Sequence, residues 1–312
     1  MKKIFTLFGG LVLFFILVND NLFNNNILNL IEKKYYKNNN ENYHIVSNVE
    51  ALNSNKYFKE NLSDYVSITN NFYPKNKKEL LNVYYTVLNN GWDKFSYYCD
   101  KSYTNCLKDI ESLSNDNKEL SFVNQLLNPY NSFSSIISNY NTDGRIDIEV
   151  KRKYTNKEIK KIDNELNNII NKLNINNIDS LKEKIRVFHD YIATINVYDN
   201  DKENGKSNYN SDKAIGTLFE GHSICSGYTD TLSLFLDKIN LKNYKIANDE
   251  HTWNVVLING DWYHIDLTWD DPITNTGENI IQYNYFLITT PELESKNEIE
   301  HNYSKEIYNF IK

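Results

Sequence analysis

Cysteine is scarce in this chain of 312 residues: there are three, beside four prolines, ten glycines and one methionine. No set of Cys and His residues has the spacing of a zinc site, so no metal is expected. Nothing in the chain calls for a cofactor. Blocks of like charge are missing too, and 34 Lys and Arg against 41 Asp and Glu leave a formal net charge of −7. A nucleic-acid binder would show a basic face, and none is visible, so nucleic acid is not expected as a partner. Internal repeats are absent. Poverty in Gly, Pro and Ala beside abundant Asn, Lys, Ile and Tyr reads as a codon bias toward A and T, not as chemistry. What is present excludes wholesale disorder: 40% of the residues are hydrophobic and 14% aromatic, enough for a packed core.

One apolar run stands out. Met1-Lys2-Lys3 is followed by Ile4 to Val18, broken only by Thr6 and a Gly pair, and ended by Asn19-Asp20-Asn21. As a helix this run would span roughly 22 Å, short of a hydrocarbon core of about 30 Å. Residues 1–20 therefore read as a signal peptide or, since no small-x-small cleavage site follows, as an N-terminal membrane anchor. No Cys lies near it, which argues against a lipoprotein. Either reading puts the rest of the chain outside the cytoplasm, secreted or anchored to the membrane. An odd number of cysteines there leaves at least one unpaired. Cys99 and Cys106 could form a local disulfide if the chain turns between them, and Cys225 then stands alone.

Residues 21–70 are polar, with runs at Asn24-Asn25-Asn26 and Asn38-Asn39-Asn40, and read as a tether. Residues 71–154 read as a small α+β domain of unknown role. Leu80, Leu81, Tyr84, Val87 and Leu88 form a helical stripe within Lys77 to Leu88. Phe95 to Cys99 suits a short strand, and Leu120 to Leu127 a second helix stopped before Pro129. Ile146, Ile148 and Val150 alternate with charged residues, so Ser132 to Tyr140 and Arg145 to Tyr154 read as a β-hairpin. Two helices follow, behind the capping signals Thr155-x-x-Glu158 and Ser180-x-x-Glu183. The polar stretch from Val197 to Asp212 is too long for a simple connection.

The chemistry concentrates further on. Gly221-His222-Ser223-Ile224-Cys225-Ser226-Gly227-Tyr228 precedes a helical stripe of Leu232, Phe235, Leu236 and Ile239, which puts Cys225 at a helix N-terminus. Unpaired N–H groups there favour an anion, whereas an unassisted thiol, with a pKa of about 8.5, is mostly protonated at neutral pH. His251 to Ile258 and Asp261 to Thr268 flank Asn259-Gly260, the strongest short hairpin signal. A two-residue turn sets Ile258 opposite Asp261, Trp253 opposite Asp266 and His251 opposite Thr268. His251 and Asp266 become diagonal neighbours on one face, roughly 7–8 Å apart at the backbone and within side-chain reach. A lone cysteine at a helix start is usually a small buried hydrophobe, and a His–carboxylate pair is often structural. Together they supply nucleophile, base and orienter, the minimum set for acyl transfer through a thioester.

Cys225-Ser-Gly-Tyr228, His251-x-Trp253-Asn254 and Trp262-Tyr-His-Ile-Asp266-Leu-Thr-Trp-Asp-Asp-Pro272 resemble the core of the transglutaminase-like superfamily, above all its bacterial secreted, peptidase-like branch. Phe188-His189-Asp190-Tyr191 and Gly216-Thr-Leu-Phe219 are similar to that branch's run-up. Ile215 stands where an aromatic is common, and His222 replaces a more usual aromatic or small residue. The resemblance covers about residues 175–290. It implies an α+β fold whose papain-like core packs a Cys-bearing helix on an antiparallel sheet, within a catalytic domain spanning 155–312. It also implies Cys225 as nucleophile, His251 as base and Asp266 as orienter. Trp253, Tyr209, Tyr228 and Trp269 are then expected to line the substrate, and the Cys225 N–H and Tyr209 are candidate oxyanion donors.

His222 reads as a half-exposed loop residue, His264 and His189 as packing residues. Asp270 and Asp271 lack regular calcium spacing and read as a turn. The expected activity is cleavage or transfer of acyl groups of peptide or protein amides, with hydrolysis favoured over transamidation. A non-catalytic binding module at the cell surface, using the same cleft, is the alternative.

Overall fold

The computed structural model describes residues 44–45, 55–115, 118–141, 144–202, 204–273 and 280–311. The N-terminal apolar run and most of the expected tether lie outside them. Among the described residues no helix is long and apolar enough to cross a membrane.

The architecture is α+β. Helix α1 (Lys77–Asn89) is capped by Asn76, whose side chain accepts from the Glu79 N–H, and the expected stripe is its buried face. Strand β1 (His44–Ile45) runs parallel to β2 (Lys94–Tyr98); β2 pairs antiparallel with β4 (Arg145–Arg152), and β4 with β3 (Phe133–Tyr140). The hairpin read from Ile146, Ile148 and Val150 is thus the centre of a four-stranded sheet. Helices α2 (Cys106–Asn115) and α3 (Lys118–Gln125) lie between β2 and β3 in the chain. α2 gave no signal that we read, because its apolar positions Cys106, Ile110 and Leu113 are few. Cys99 and Cys106 are joined by a disulfide.

The expected capping box forms: Thr155 accepts from the Glu158 N–H while the Glu158 carboxylate accepts from Thr155 N, starting α4 (Asn156–Lys172). Ser180 caps α5 (Leu181–Ile195). Short parallel strands β5 (Val197–Tyr198) and β6 (His222–Ser223) bracket the long polar loop, and α6 (Cys225–Lys238) follows at once. A second sheet then forms by consecutive antiparallel pairing of β7 (Asn243–Ala247), β8 (Thr252–Ile258), β9 (Asp261–Ile265) and β10 (Phe286–Ile288). Helix α7 (Leu267–Asp270) caps the end of β9, and α8 (Thr290–Ser295) follows β10.

The turn chemistry fixes the second sheet. Asn259 and Gly260 both have positive φ, 55° and 99°, as a two-residue hairpin turn of this kind needs. The ladder runs Ile258↔Asp261 to Asn254↔Ile265, the register expected from the sequence. Both faces of this sheet are buried. Val256, Ile258 and Ile265 join Tyr228, Leu232 and Phe235 of α6 in one cluster. Tyr244, Ile246, Trp253, Val255 and Trp262 join residues from 66 to 150 and the C-terminal Tyr308 and Ile311 in another. The division expected at residue 154 therefore does not separate two hydrophobic cores.

A buried carboxylate ties the same regions together. Asp230 of α6 accepts from Lys153 Nζ (2.6 Å), Tyr154 OH (2.7 Å) and Lys245 Nζ (3.0 Å). Burial works against its charge, but the two ammonium groups hold its pKa at about 2. Residues 55–70, expected as the end of the tether, are packed as well. Tyr57 meets Tyr130 edge-on at 4.8 Å, Val66 is buried, and Lys59 Nζ donates to Asn243 Oδ1 at 3.2 Å. Their apolar residues are irregularly spaced, so no periodic pattern announces them.

Phe235 of α6 stacks on Phe188 of α5 at 3.7 Å with an interplanar angle of 3°, both rings fully buried. Truncating Phe235→Ala should lower stability by about 3–5 kcal/mol. Urea unfolding would measure it, and a loss under about 1 kcal/mol would show that α6 is not anchored through this ring pair.

Candidate active site

Three local structures converge. Cys225 is the first residue of α6, half-exposed, and the chain's free thiol. The preceding Ile224 offers no side-chain cap, so first-turn N–H groups stay available to an anion. The long polar loop holds this helix start: Ile224 N donates to Ser211 O at 2.9 Å and Ser226 Oγ to Asp212 O at 3.1 Å. Gly227 is required by the same contact. A Cβ there would collide with Ser211 O and lie 2.5 Å from Ser223 Oγ, so the Cys-Ser-Gly sequence lets the helix seat on the loop backbone.

His251 sits one residue before β8, and Asp266 one residue after β9. The hairpin register brings them together, and His251 Nε2 donates to Asp266 Oδ2 at 2.5 Å. The Cys225 side chain lies close enough to the His251 ring to favour its charged form. Because Nε2 faces the carboxylate, Nδ1 is the nitrogen left for the thiol. Burial opposes a charged ring, yet Asp266, and then Cys225, raise the His251 pKa to about 10. Asp266 is equally buried, and burial would raise its pKa, but His251 and a second histidine hold it at about 2. Its other oxygen, Oδ1, accepts from Thr268 N (3.0 Å) and Trp269 N (3.3 Å) as the N-cap of α7.

That second histidine is His301, whose Nε2 lies 2.8 Å from Asp266 Oδ2. Reading the sequence missed it. It is a single histidine in a polar stretch 35 residues beyond Asp266, and no periodicity or motif marks it. His251, Asp266 and His301 bring their ligating atoms within 4.8 Å of one another. Two donors on one tetrahedral zinc lie roughly 3.3 Å apart. The observed separations of 2.5 and 2.8 Å are those of direct hydrogen bonds and do not fit an ion between the groups.

The expected substrate-lining residues divide. Trp253 and Tyr228 are each 1% exposed, so neither offers a surface to a substrate. Trp253 lies beside His251 (ring centroids 5.8 Å apart) and donates from Nε1 to His264 Nδ1 at 3.0 Å. Tyr228 OH donates to Asp271 Oδ2 at 2.5 Å. Both support the site from beneath because they face the cores on either side of the sheet. Trp269 is half-buried against His251 (6.4 Å). Tyr209, 43% exposed, stacks on His222 at 3.7 Å. These two rings line a surface groove of about 560 Å³ together with Val197, Asp199 and Asn208, beside the strand that leads into Cys225.

The remaining histidines and carboxylates are engaged with the protein. His264 is buried, and its pKa is lowered to about 3 by burial, with help from Lys305 and His301. His189 links α5 to α7 through Asp270 Oδ2 at 3.3 Å. Asp270 also accepts from Tyr285 N at 2.9 Å. Burial raises the Asp271 pKa to about 6 against the pull of the Tyr228 hydroxyl.

No protein-family model matches the chain, and no curated protein matches it. Among solved structures it is similar to one described as a TGase, at 13% identity over 66% of this chain and 68% of the other, with a TM-score of 0.33. It is also similar to one described as a candidate cysteine protease of Cytophaga hutchinsonii, at 12% identity over 43% of this chain and 61% of the other, with a TM-score of 0.28. Likenesses at this level carry no weight beside the geometry of the site.

The two pKa shifts define a stability window. The Asp266 contribution is complete above its unfolded value of about 3.9 and is lost as pH falls toward about 2. The His251 contribution is complete below its unfolded value of about 6.5 and is lost as pH rises through about 10. The stability difference between wild type and Asp266→Asn should therefore be largest between about pH 4 and 6.5 and shrink on both sides. Urea unfolding at stepped pH measures it, and a difference flat with pH would mean that no ion pair forms.

Proposed function

We propose that this chain is a transglutaminase-like cysteine enzyme that acts on peptide or protein amides outside the cytoplasm. The observation that carries the reading is the buried His251 ring, bonded through Nε2 to the Asp266 carboxylate at 2.5 Å with the Cys225 side chain close enough to favour its charged form. The Cys-bearing helix packed on an antiparallel sheet, with His and Asp at the open end of one hairpin, supports the same reading.

The steps follow from the positions. Cys225 Sγ attacks the amide carbonyl carbon. The carbonyl oxygen gains negative charge and is met by N–H groups at the α6 N-terminus, the Cys225 N–H foremost. His251 delivers its Nδ1 proton to the departing amine nitrogen, the C–N bond breaks, and a thioester on Cys225 remains. Asp266 keeps the ring oriented and stabilises its charged form. A water molecule, deprotonated by His251, then attacks the thioester and releases a carboxylic acid and the thiol. An amine attacking instead gives transamidation. Hydrolysis is favoured, because the bacterial branch that the motifs resemble is read as peptidases. Surface or cell-wall peptides are the substrates that fit the location. That location rests on the N-terminal apolar run and agrees with the Cys99–Cys106 disulfide, a bond of oxidising compartments.

Cys225 is the only free cysteine, so alkylation reads it directly. Iodoacetamide should label it near neutral pH faster than a free model thiol, and His251→Ala should slow labelling by about a hundredfold or more. Capture by a library of thiol-reactive peptide probes, read by mass spectrometry, should depend on Cys225 and report side-chain preference. Amide hydrolysis that survives intact in Cys225→Ala would defeat the proposal.

A further inference from the structure

His301 is buried, with 4% of its surface exposed, in the short 3-10 turn Ile299–His301 near the C-terminus. A carboxylate only accepts, so the 2.8 Å contact to Asp266 Oδ2 makes His301 Nε2 the donor. Its Nδ1 has no hydrogen-bond partner. The bond to Asp266 is therefore the ring's only polar contact among the described residues. Aromatic rings fill the rest of its surroundings: Tyr285 stacks on it at 4.5 Å, Trp269 lies at 4.9 Å and Trp253 at 5.2 Å.

The backbone around it is tied to the same site. Asn248 Nδ2 donates to Glu300 O and Asn302 O, each at 2.8 Å. The side-chain oxygen of Asn248 accepts from His251 N at 2.8 Å and from Glu250 N at 2.9 Å. One asparagine thus clamps the residues flanking His301 to the turn that carries His251. Placing an imidazole in this pocket costs burial of a polar ring, and its one return is a donor on the carboxylate that orients His251.

The geometry points to His301 as a positioning residue that extends the Cys225–His251–Asp266 set to four members by fixing the Asp266 carboxylate. Two backbone N–H groups hold Oδ1, and His301 holds Oδ2 against rotation, so that His251 meets one fixed acceptor. The inference rests on the triad reading above. It assigns His301 no contact with substrate; the residue acts through Asp266.

The test compares iodoacetamide labelling of Cys225 in the full chain across a pH series for wild type, His301→Phe, His301→Gln and His251→Ala, with circular dichroism as the fold control. His301→Phe keeps the ring's bulk and loses the donor, and labelling near neutral pH should slow roughly ten- to a hundredfold, the scale of a misplaced catalytic group. His301→Gln keeps an N–H donor and should recover most of the rate. Wild-type and His301→Phe rates that agree, while His251→Ala is slow, would overturn the role of His301 and leave the triad standing. A wild-type rate no faster than His251→Ala would remove the triad and this role with it. Should His301→Phe not fold, ¹⁵N-histidine spectra of the wild type decide the matter. A proton on Nε2 of His301 is the expected result, and a ring protonated at Nδ1 alone would overturn the inference.

Discussion

Asp266 accepts four N–H groups, two on each oxygen, in a site shielded from water. A carboxylate so placed cannot rotate without breaking several charge-assisted bonds, and it cannot take up a proton without giving up the partners that make burial tolerable. Its fixed charge sets the state of His251, and in the proposed reaction His251 in turn sets what Cys225 can do. The same residue ends strand β9 and caps helix α7, so the backbone that positions the carboxylate is itself held by it.

The rest of the molecule supports that arrangement from three directions. The doubly buried sheet fixes where the hairpin ends, because a slip of one residue would drive Trp253 and Val255 into the face now occupied by Val256 and Ile258. Asp230, with Lys153, Tyr154 and Lys245 around it, joins the helix bearing Cys225 to β4 and β7. Removing Asp230 would leave the buried Lys245 ammonium without its carboxylate. The loop from 197 to 212 holds the helix start through backbone contacts that only a glycine at 227 allows. Helix placement and stability are thus carried by the same contacts, which leaves the stacked rings of Tyr209 and His222 to line the groove and the half-buried Trp269 beside His251.

Aromatic residues show how one residue type serves two purposes. Trp253 and Trp269 stand in similar sequence surroundings beside His251 and Asp266, and both were expected to line the substrate. Trp253 points into the core with its indole N–H committed to His264, whereas Trp269, on the short helix after Asp266, keeps part of its ring exposed. Tyr228 and Tyr209 divide in the same way, the first committed to Asp271 and the second stacked on a loop histidine.

Local signals determined much of this protein. Asn259-Gly260 fixed the turn, the turn fixed the register, and the register set His251 beside Asp266. Thr155-x-x-Glu158 and Ser180-x-x-Glu183 fixed two helix starts, and alternation at Ile146, Ile148 and Val150 fixed a strand. Each depends on residues within about one turn or one hairpin of each other, where φ preferences, caps and period act directly. Tertiary structure alone decided the rest. His301 meets Asp266 across 35 residues, residues 55–70 pack without any periodic pattern, and the hydrophobic core crosses residue 154. Such contacts are made by shape and polar satisfaction between distant segments, and no local spacing encodes them.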